Sequence, residues 1–318
     1  MKFLTFIEVK EGKPVGGSLE LLTVAASLGA EANALLVGEN LDSAAEAVAK
    51  LGAAAVFVVD GPAEPTEDFY ADIVARCAQE NNVNAVLFAA TTVGKILTPR
   101  VAAKLDAGSV NDATAIELDG DNCKVTRFAF GGTVIEKIKV ATPVAVVSVR
   151  PGSYEKPVEA APVAVTKVDA SVEAATLKSI IKEYIAEVGE TVNLADASVI
   201  VSGGRGMGSE EDYKLCADLA DVLGGVVGGT RPAMENGWIS RSQQVGQSGT
   251  IVAPDLYFAC GISGATQHMS GMTGSKYVVA INKDEDAPIF EIADVGIVGD
   301  VKVVLPLLIE EIKKVKAQ

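Results

Sequence analysis

The sequence predicts an α/β protein of two domains: an N-terminal domain with a parallel sheet over residues 1–188, and a smaller, doubly wound (Rossmann-like) domain over residues 195–318. Three observations support this fold class. Short apolar runs alternate with stretches of helical spacing along the chain. Glycine-rich turns follow several of these runs, and aromatic residues make up only 5% of the 318 residues. This length and composition are typical of two domains built from closely packed parallel strands and helices.

The N-terminal domain is predicted from its alternating strands and helices. Buried strands are expected at residues 3–9, 33–38, 54–59 and 84–89. Helices are expected at residues 19–28, 43–51, 68–80 and 98–105. Shorter strands are expected at residues 113–118, 124–130, 133–140 and 144–149. The early alternation implies parallel strands joined by right-handed crossovers.

Two further segments bear on the domain organisation. Residues 91–95 (Thr-Thr-Val-Gly-Lys) resemble a phosphate-binding loop but lack its full glycine–lysine–hydroxyl spacing, so the start of a helix is the favoured interpretation. Residues 188–194, which include Gly189, are the best linker candidate, because the composition becomes glycine-rich beyond them. A hinge there would allow the C-terminal domain to swing as a rigid body.

The C-terminal domain places glycine-rich or polar turns after its strands. Residues 199–208 form an apolar run that leads into a turn containing Arg205, and residues 209–212 carry a capping box before a helix. Similar turns lie at residues 228–232, 243–249, 261–268 and 280–284. Ligands of open α/β sheets bind at the carboxyl ends of strands. Five such ends in one small domain indicate one long ligand that carries phosphates.

The only histidine of the chain, His268, ends the turn at residues 261–268. A lone histidine at a helix start is often a buried, hydrogen-bonded imidazole. The alternative is a residue that acts on a bound group, because glycine turns allow close approach of a ligand to the main chain. The glycine-rich surroundings favour the second interpretation.

These motifs resemble those of the electron-transfer flavoprotein alpha-subunit family. The family pattern includes S-G-G-R-G, an S-R pair, V-G-Q-T-G, G-I-S-G-A-I-Q-H, A-I-N-K-D and A-P-I-F. The corresponding residues here are 202–206, 230–231, 245–249, 261–268, 280–284 and 287–290. The resemblance covers residues 195–318 strongly, and the N-terminal part more loosely through its α/β pattern and length.

The resemblance implies that the C-terminal domain binds one FAD. The residues that it assigns to the cofactor are Arg205, Thr230, Arg231, Gln244, Val245, Gly246, Gln247, Ser248, Gly261, Ile262, Ser263, Gly264, Ala265, Thr266, Gln267, His268, Asn282 and Asp300.

Three of these residues are expected to tune the redox properties of the flavin. Arg231 is expected to lie against the isoalloxazine ring, Ser248 near N5, and His268 at the C2 carbonyl and N1 edge, where a donor stabilises an anionic semiquinone. Thr230 and Ser248 depart from the usual serine and threonine, but each keeps the hydroxyl. The tuning of the flavin's redox properties is therefore expected to persist. No residue is expected to act as a catalyst in its own right.

The other charged positions are expected to hold the remainder of the cofactor. Arg205, together with the helix start behind it, suits a pyrophosphate. Asn282 and Asp300 correspond to positions at the adenosine end, with Asp300 suited to a ribose hydroxyl. Asp300 is alternatively the N-cap of the closing helix, and it can serve in both ways.

The resemblance also implies partners: a beta subunit in a heterodimer and an acyl-CoA dehydrogenase. Residues 233–238 (Ala-Met-Glu-Asn-Gly-Trp) depart from the simple members and resemble those that oxidise NADH and reduce ferredoxin by electron bifurcation. Trp238 is either a core or interface aromatic or a residue near the flavin. A simple carrier between acyl-CoA dehydrogenases and a quinone reductase is the alternative.

Two other classes of function are alternatives to an electron carrier. A stand-alone NAD-dependent dehydrogenase is disfavoured, because no G-x-G-x-x-G order is present and no proton-transfer partner accompanies His268 in the sequence. A nucleotide-binding regulatory module without redox chemistry is the other alternative.

Charge and cysteine usage restrict the remaining possibilities. A net charge of −15 argues against a nucleic-acid partner. The four cysteines are scattered and predict reduced core thiols, with no metal site. The sequence contains no run of 18 apolar residues, so no membrane span is predicted. Charged residues interrupt the apolar stretch at the N-terminus too early for a signal peptide. A cytoplasmic location is therefore expected.

Overall fold

The computed structural model describes residues 1–62, 65–169, 171–172, 177, 179, 181 and 194–316. The chain divides into two compact units, Met1–Glu187 and Val188–Gln318. The linker predicted at residues 188–194 lies outside the described residues except for Leu194, which is buried.

The N-terminal unit contains one large mixed sheet and a separate two-stranded pair. The strands of this unit are β1 Lys2–Phe6, β2 Val9–Lys10, β3 Lys13–Pro14, β4 Glu31–Gly38, β5 Ala55–Asp60, β6 Ala85–Ala89, β7 Gly108–Asp119, β8 Asn122–Ala129, β9 Val134–Val140, β10 Ala145–Val149 and β11 Val165–Lys167. The order across the sheet is β11-β5-β4-β1-β6-β10-β7-β8-β9, while β2 and β3 form a separate pair. All neighbours from β11 to β7 are parallel, and β7, β8 and β9 are antiparallel.

Four helices connect the parallel strands: α1 Gly16–Ser27, α2 Asp42–Val48, α3 Glu67–Glu80 and α4 Thr92–Leu105. Helix α4 begins six residues before the predicted start at residue 98. The Thr91 hydroxyl accepts the Gly94 N–H at 3.0 Å, and this N-cap fixes the start of the helix. Residues 91–95 therefore form a helix start, as the favoured interpretation predicted.

Successive side chains of the central strands pack into two different buried clusters. Phe3 of β1 and Leu87 of β6 belong to one buried cluster. Leu4 and Val86, their neighbours along the chain, belong to another. This alternation is expected of a sheet whose two faces are both covered.

The C-terminal unit is a doubly wound parallel domain. Its strands are β12 Val199–Gly203, β13 Val226–Gly229, β14 Leu256–Cys260, β15 Val278–Asn282 and β16 Val295–Val298. Its helices are α5 Glu210–Leu223, α6 Arg231–Glu235, α7 Thr266–Met269 and α8 Val301–Lys316. The sheet order is β13-β12-β14-β15-β16, with every pair parallel.

This strand order creates a crevice at one edge of the sheet. The chain passes from β12 to β13 on one side and then returns to β14 on the other side. The carboxyl ends of β12 and β14 therefore flank a topological switch point, where ligands of such sheets bind. Half of the predicted capping box at the start of α5 is observed: the Ser209 side chain accepts the Asp212 N–H at 3.1 Å, while the Asp212 carboxylate accepts from the Ser209 hydroxyl at 2.6 Å.

The four cysteines are free and buried, as predicted. Among the described helices, none has the length and apolar character that crossing a membrane requires.

Candidate functional site

A cavity of about 770 Å³ lies at the carboxyl edge of the C-terminal sheet. The turns that follow β12, β13, β14 and β15 all contribute to its wall. The lining residues are Gly204, Arg205, Gly206, Thr230, Arg231, Pro232, Gln244, Val245, Gly246, Gln247, Ser248, Gly261, Ile262, Ser263, Ala265, Gln267, His268, Asn282, Lys283 and Asp284. The volume falls in the range of small-molecule and cofactor sites.

Two glycine turns meet main chain to main chain at the switch point. Gly206 donates its N–H to the carbonyl of Gly261 at 3.0 Å, and Gly204 donates to that of Cys260 at 2.9 Å. A Cβ on Gly206 would lie 2.6 Å from the Gly261 oxygen, and Gly261 itself has φ +62°. Side chains are therefore excluded here, and the backbone of both turns forms part of the wall.

Arg205 connects the main cavity with a smaller one of about 290 Å³. Asn282 and Lys283 line both spaces, while Asp300 and Lys302 line only the smaller one. Arginine and lysine side chains next to glycine turns suit the negative charge of phosphates. The two cavities together match a long ligand with a charged middle section.

The turn after β13 contains a buried hydroxyl that a ligand could satisfy. The side-chain oxygen of Thr230 is buried and has no hydrogen-bond partner among the described residues. An unsatisfied buried hydroxyl costs about 1–3 kcal/mol, so it commonly marks a group that a ligand completes. Its neighbour Arg231 is exposed over 66% of its side chain and pairs with Glu235 at 2.8 Å.

The loop from Gln244 to Ser248 is held by its own side chains and by α7. Gln244 is buried and donates from Nε2 to the Ser248 hydroxyl at 2.9 Å. The Gln247 N–H donates to the carbonyl of Gln267 at 2.7 Å. Gly246 has φ +138°, where a Cβ would lie 2.9 Å from that same carbonyl oxygen. The Ser248 hydroxyl is therefore oriented by Gln244 at the cavity wall.

His268 lines the cavity, yet both of its ring nitrogens face protein partners. Nδ1 lies 3.1 Å from the Val245 carbonyl oxygen, and Nε2 lies 2.9 Å from the Tyr257 hydroxyl. Burial lowers the pKa of the imidazole to about 4, although the Val245 carbonyl opposes this shift. The histidine is thus neutral near pH 7, and the buried, hydrogen-bonded alternative describes its environment. The predicted donation to a flavin carbonyl stays a prediction.

Asn282 and Asp300 have clear roles in local structure. Asn282 donates to the Ile262 carbonyl at 2.9 Å and accepts the Asp284 N–H at 3.0 Å, which joins the turns after β14 and β15. Asp300 accepts the Lys302 N–H at 2.9 Å at the start of α8. Asp300 therefore acts at the helix start, as the alternative interpretation predicted, and also lines the smaller cavity.

The predicted site residues gather in one place with three exceptions. Gly264 and Thr266 do not line either cavity, and Asp300 lines only the smaller one. Gly264 packs against the main chain of Ile289, so its glycine serves packing. The prediction missed five residues of the main cavity, Gly204, Gly206, Pro232, Lys283 and Asp284. Four of them could have been found from the sequence, because Gly204 and Gly206 lie in the glycine-rich turn after β12, and Lys283 and Asp284 lie in the polar turn after β15.

Trp238 does not line the main cavity. Its ring lies 5.9 Å from that of Tyr213, and it packs at the margin of one buried cluster of the C-terminal unit. These contacts correspond to the core interpretation of this residue.

Comparisons with known proteins agree with this geometry. Residues 3–173 match the family described as electron transfer flavoprotein domain, and residues 193–273 match the electron transfer flavoprotein FAD-binding domain. The chain is 41% identical to the electron transfer flavoprotein subunit alpha of Thermoanaerobacterium thermosaccharolyticum, covering 98% of this chain and 97% of that one. It is 43% identical to the subunit alpha of Megasphaera elsdenii (96% and 94%) and 42% identical to the protein FixB of Clostridium saccharobutylicum (98% and 96%). The chain therefore belongs to the alpha-subunit family of the electron transfer flavoproteins, and its cofactor is FAD.

Proposed function

We propose that the main and smaller cavities of the C-terminal unit hold one FAD, and that the chain relays electrons in single steps within a heterodimer with a beta subunit. The observation that carries this proposal is the switch-point cavity with its buried Thr230 hydroxyl, which has no hydrogen-bond partner in the part of the chain that the structure describes. FAD supplies the redox chemistry, and the protein supplies binding, orientation and electrostatics.

The residues of the chain would divide this work. The turns at Gly204 and Gly261 would let main chain approach the pyrophosphate, and Arg205 and Lys283, which line both cavities, would supply positive charge there. Thr230 offers a hydroxyl without a competing partner. Arg231 would add positive charge beside the ring system, which favours an added electron.

The proposed route of electrons runs between the beta subunit and an acyl-CoA dehydrogenase. This makes the chain a carrier more than a catalyst of its own reaction. A cytoplasmic location belongs to the same proposal and rests on the sequence alone.

The bifurcating version, in which NADH is oxidised and ferredoxin reduced, rests on residues 233–238 alone. The position of Trp238 beside Tyr213 lends it no support at the cavity. The complex decides this directly. NADH oxidation that requires both ferredoxin and a high-potential acceptor establishes bifurcation, and transfer that is indifferent to ferredoxin leaves the simple carrier.

Redox titration of the FAD-loaded heterodimer tests the assignment of the cavity. Arg231→Lys is expected to lower the potential of the first electron by about 60 mV, equivalent to tenfold in a one-electron equilibrium. The reason is that a compact ammonium cannot replace a planar guanidinium beside a ring. FAD affinity is expected to change less than this potential.

Arg241→Lys is the matched control, because Arg241 does not line the main or the smaller cavity. Its potential should equal that of the unmodified protein. Equal potentials in all three proteins would restrict Arg231 to its ion pair with Glu235, and a chain that binds no FAD would refute the proposed function itself.

A further inference from the structure

A tyrosine in the middle of the C-terminal sheet contacts the only histidine of the chain. Tyr257 lies on the central strand β14 and is fully buried. It does not line the main cavity, but its hydroxyl lies 2.9 Å from Nε2 of His268, which does. The hydrogen bond to the imidazole therefore connects the tyrosine to the cavity.

The chemistry of the two partners of His268 fixes its tautomer. The Val245 carbonyl can only accept, so the ring nitrogen beside it, Nδ1, carries the hydrogen. A neutral imidazole has one N–H, and Nε2 is then an acceptor. The Tyr257 hydroxyl must donate to it. Burial raises the pKa of the Tyr257 phenol, which keeps this donor protonated.

A second buried tyrosine of the same unit shows that this arrangement is not the general outcome of burial. The hydroxyl of Tyr213 lies 2.6 Å from the carbonyl oxygen of Gly228 and 3.1 Å from the Gly203 nitrogen, which are both main-chain groups. Tyr257 instead directs its hydroxyl at a side chain that borders the cavity.

We propose that Tyr257 is a positioning residue that caps Nε2 of His268 and holds the imidazole as the Nδ1–H tautomer. The relevance of this to the flavin rests on the function proposed above. In this state the ring offers the cofactor site its carbon edge and no N–H donor. Donation from Nε2 to a flavin would require the Tyr257 hydroxyl to turn and accept instead. Tyr257 thus controls whether the histidine can act as a donor.

Because the chain has a single histidine, its ring nitrogens give two unambiguous NMR signals. Nitrogen-15 histidine is introduced into this chain only, and the heterodimer is measured near pH 7 with FAD removed. The expected spectrum has a protonated Nδ1 and an unprotonated Nε2 whose signal is displaced by an accepted hydrogen bond. A proton on Nε2 in the unmodified protein would overturn the proposal without any variant.

The matched variants are Tyr257→Phe and Tyr213→Phe, which remove one buried hydroxyl each. In Tyr257→Phe the Nε2 signal is expected to shift to the position of an unbonded acceptor, and the potential of bound FAD is expected to change. Tyr213→Phe should leave both unchanged. An unshifted Nε2 signal in Tyr257→Phe would refute the positioning role. A failure to bind FAD would refute the proposed function instead, while the signals of the cofactor-free protein still decide the role of Tyr257.

Discussion

The two units of this chain place a topological switch point at a sheet edge, but they fill it differently. In the N-terminal sheet, the order β5-β4-β1-β6-β10 puts the switch point between β1 and β6. Glu8 and Thr91, which follow these two strands, join across it by a hydrogen bond of 2.7 Å. In the C-terminal sheet, glycines occupy the corresponding turns and a cavity of about 770 Å³ lies there.

The difference teaches that the sheet order supplies a crevice, while the turn residues decide whether a ligand can use it. A carboxylate and a hydroxyl satisfy each other at the N-terminal switch point, and the Ser18 hydroxyl also accepts the Glu8 N–H. In the wall of the C-terminal cavity, the Thr230 hydroxyl has no hydrogen-bond partner among the residues that the structure describes. Polar groups that are already paired have little to offer a ligand.

The largest expected effect comes from filling the C-terminal turn. Gly261→Ala places a Cβ 2.8 Å from the main chain of Gly206, at a φ of +62° that costs a side chain roughly 1–2 kcal/mol. The turns should separate, and FAD affinity is expected to fall roughly tenfold or more, at 1.4 kcal/mol for each tenfold. Fluorescence titration of the apoprotein with FAD measures this.

Gly224→Ala is the control for backbone strain alone. Gly224 has φ +72° at the end of α5, and a Cβ there meets nothing within 4 Å. This variant should lose some stability and keep its FAD affinity. Equal loss of affinity in both variants would mean that strain, and not the contact between turns, controls the site.

The next expected effect is an opposite pH dependence of stability in the two units. Burial lowers the pKa of His268 to about 4, so its contribution to the stability of the C-terminal unit is complete above about pH 6.5 and lost as pH falls towards 4. The loss is about 3 kcal/mol at 1.36 kcal/mol per pH unit. Burial raises the pKa of Glu8, so its contribution is complete below about pH 4.5 and lost as pH rises.

Hydrogen exchange, which reports on each unit separately, checks these opposite signs. His268→Gln should remove the acid sensitivity that the histidine adds to the C-terminal unit, and Glu8→Gln should affect only the N-terminal unit. Each variant is compared with the unmodified protein at the same pH. An unchanged pH dependence of the C-terminal unit in His268→Gln would show that the imidazole is not held neutral.

The smallest expected effect concerns two buried hydroxyls, one in each unit. The side-chain oxygens of Thr23 and Thr230 both lack hydrogen-bond partners among the described residues. Thr23→Val and Thr230→Val should each stabilise the cofactor-free protein by about 1 kcal/mol, because an unsatisfied polar group is removed. Only Thr230→Val should weaken FAD binding, roughly fivefold for a hydrogen bond of about 1 kcal/mol. Calorimetric titration compares the two, and equal affinities would remove Thr230 from the site.

Much of the fold could be predicted because hydrophobic periodicity is a local signal. The buried strands were located within a few residues, and the Ser209 side chain caps α5 as expected. The early start of α4 was missed, although Thr91 is a residue type that favours the N-cap position and does cap the helix here. The antiparallel pairing of β7, β8 and β9 was not predicted, although the glycines in the two connecting turns, Gly120 and Gly131, were a local signal for hairpins.

The site could be predicted from its motifs, but its hydrogen bonds could not. The family resemblance assigned Val245 and His268 to one site, and the structure adds the contact between them. The partner of Nε2 is Tyr257, which is 11 residues away on a strand that looks like ordinary core. Gly264 was assigned to the cofactor as part of the family turn at residues 261–268, and the structure adds that a Cβ there would meet the main chain of Ile289.

The contact between the glycine turns also limits how this region can change. Gly204 and Gly206 face Gly261 across one gap, and a Cβ on any of the three enters the same space. Added volume at one position is therefore never compensated by added volume at another. The three positions behave as a single unit under mutation, so a double substitution among them is as damaging as the worse single one or more so. A mutational scan would find no pairwise rescue within this group.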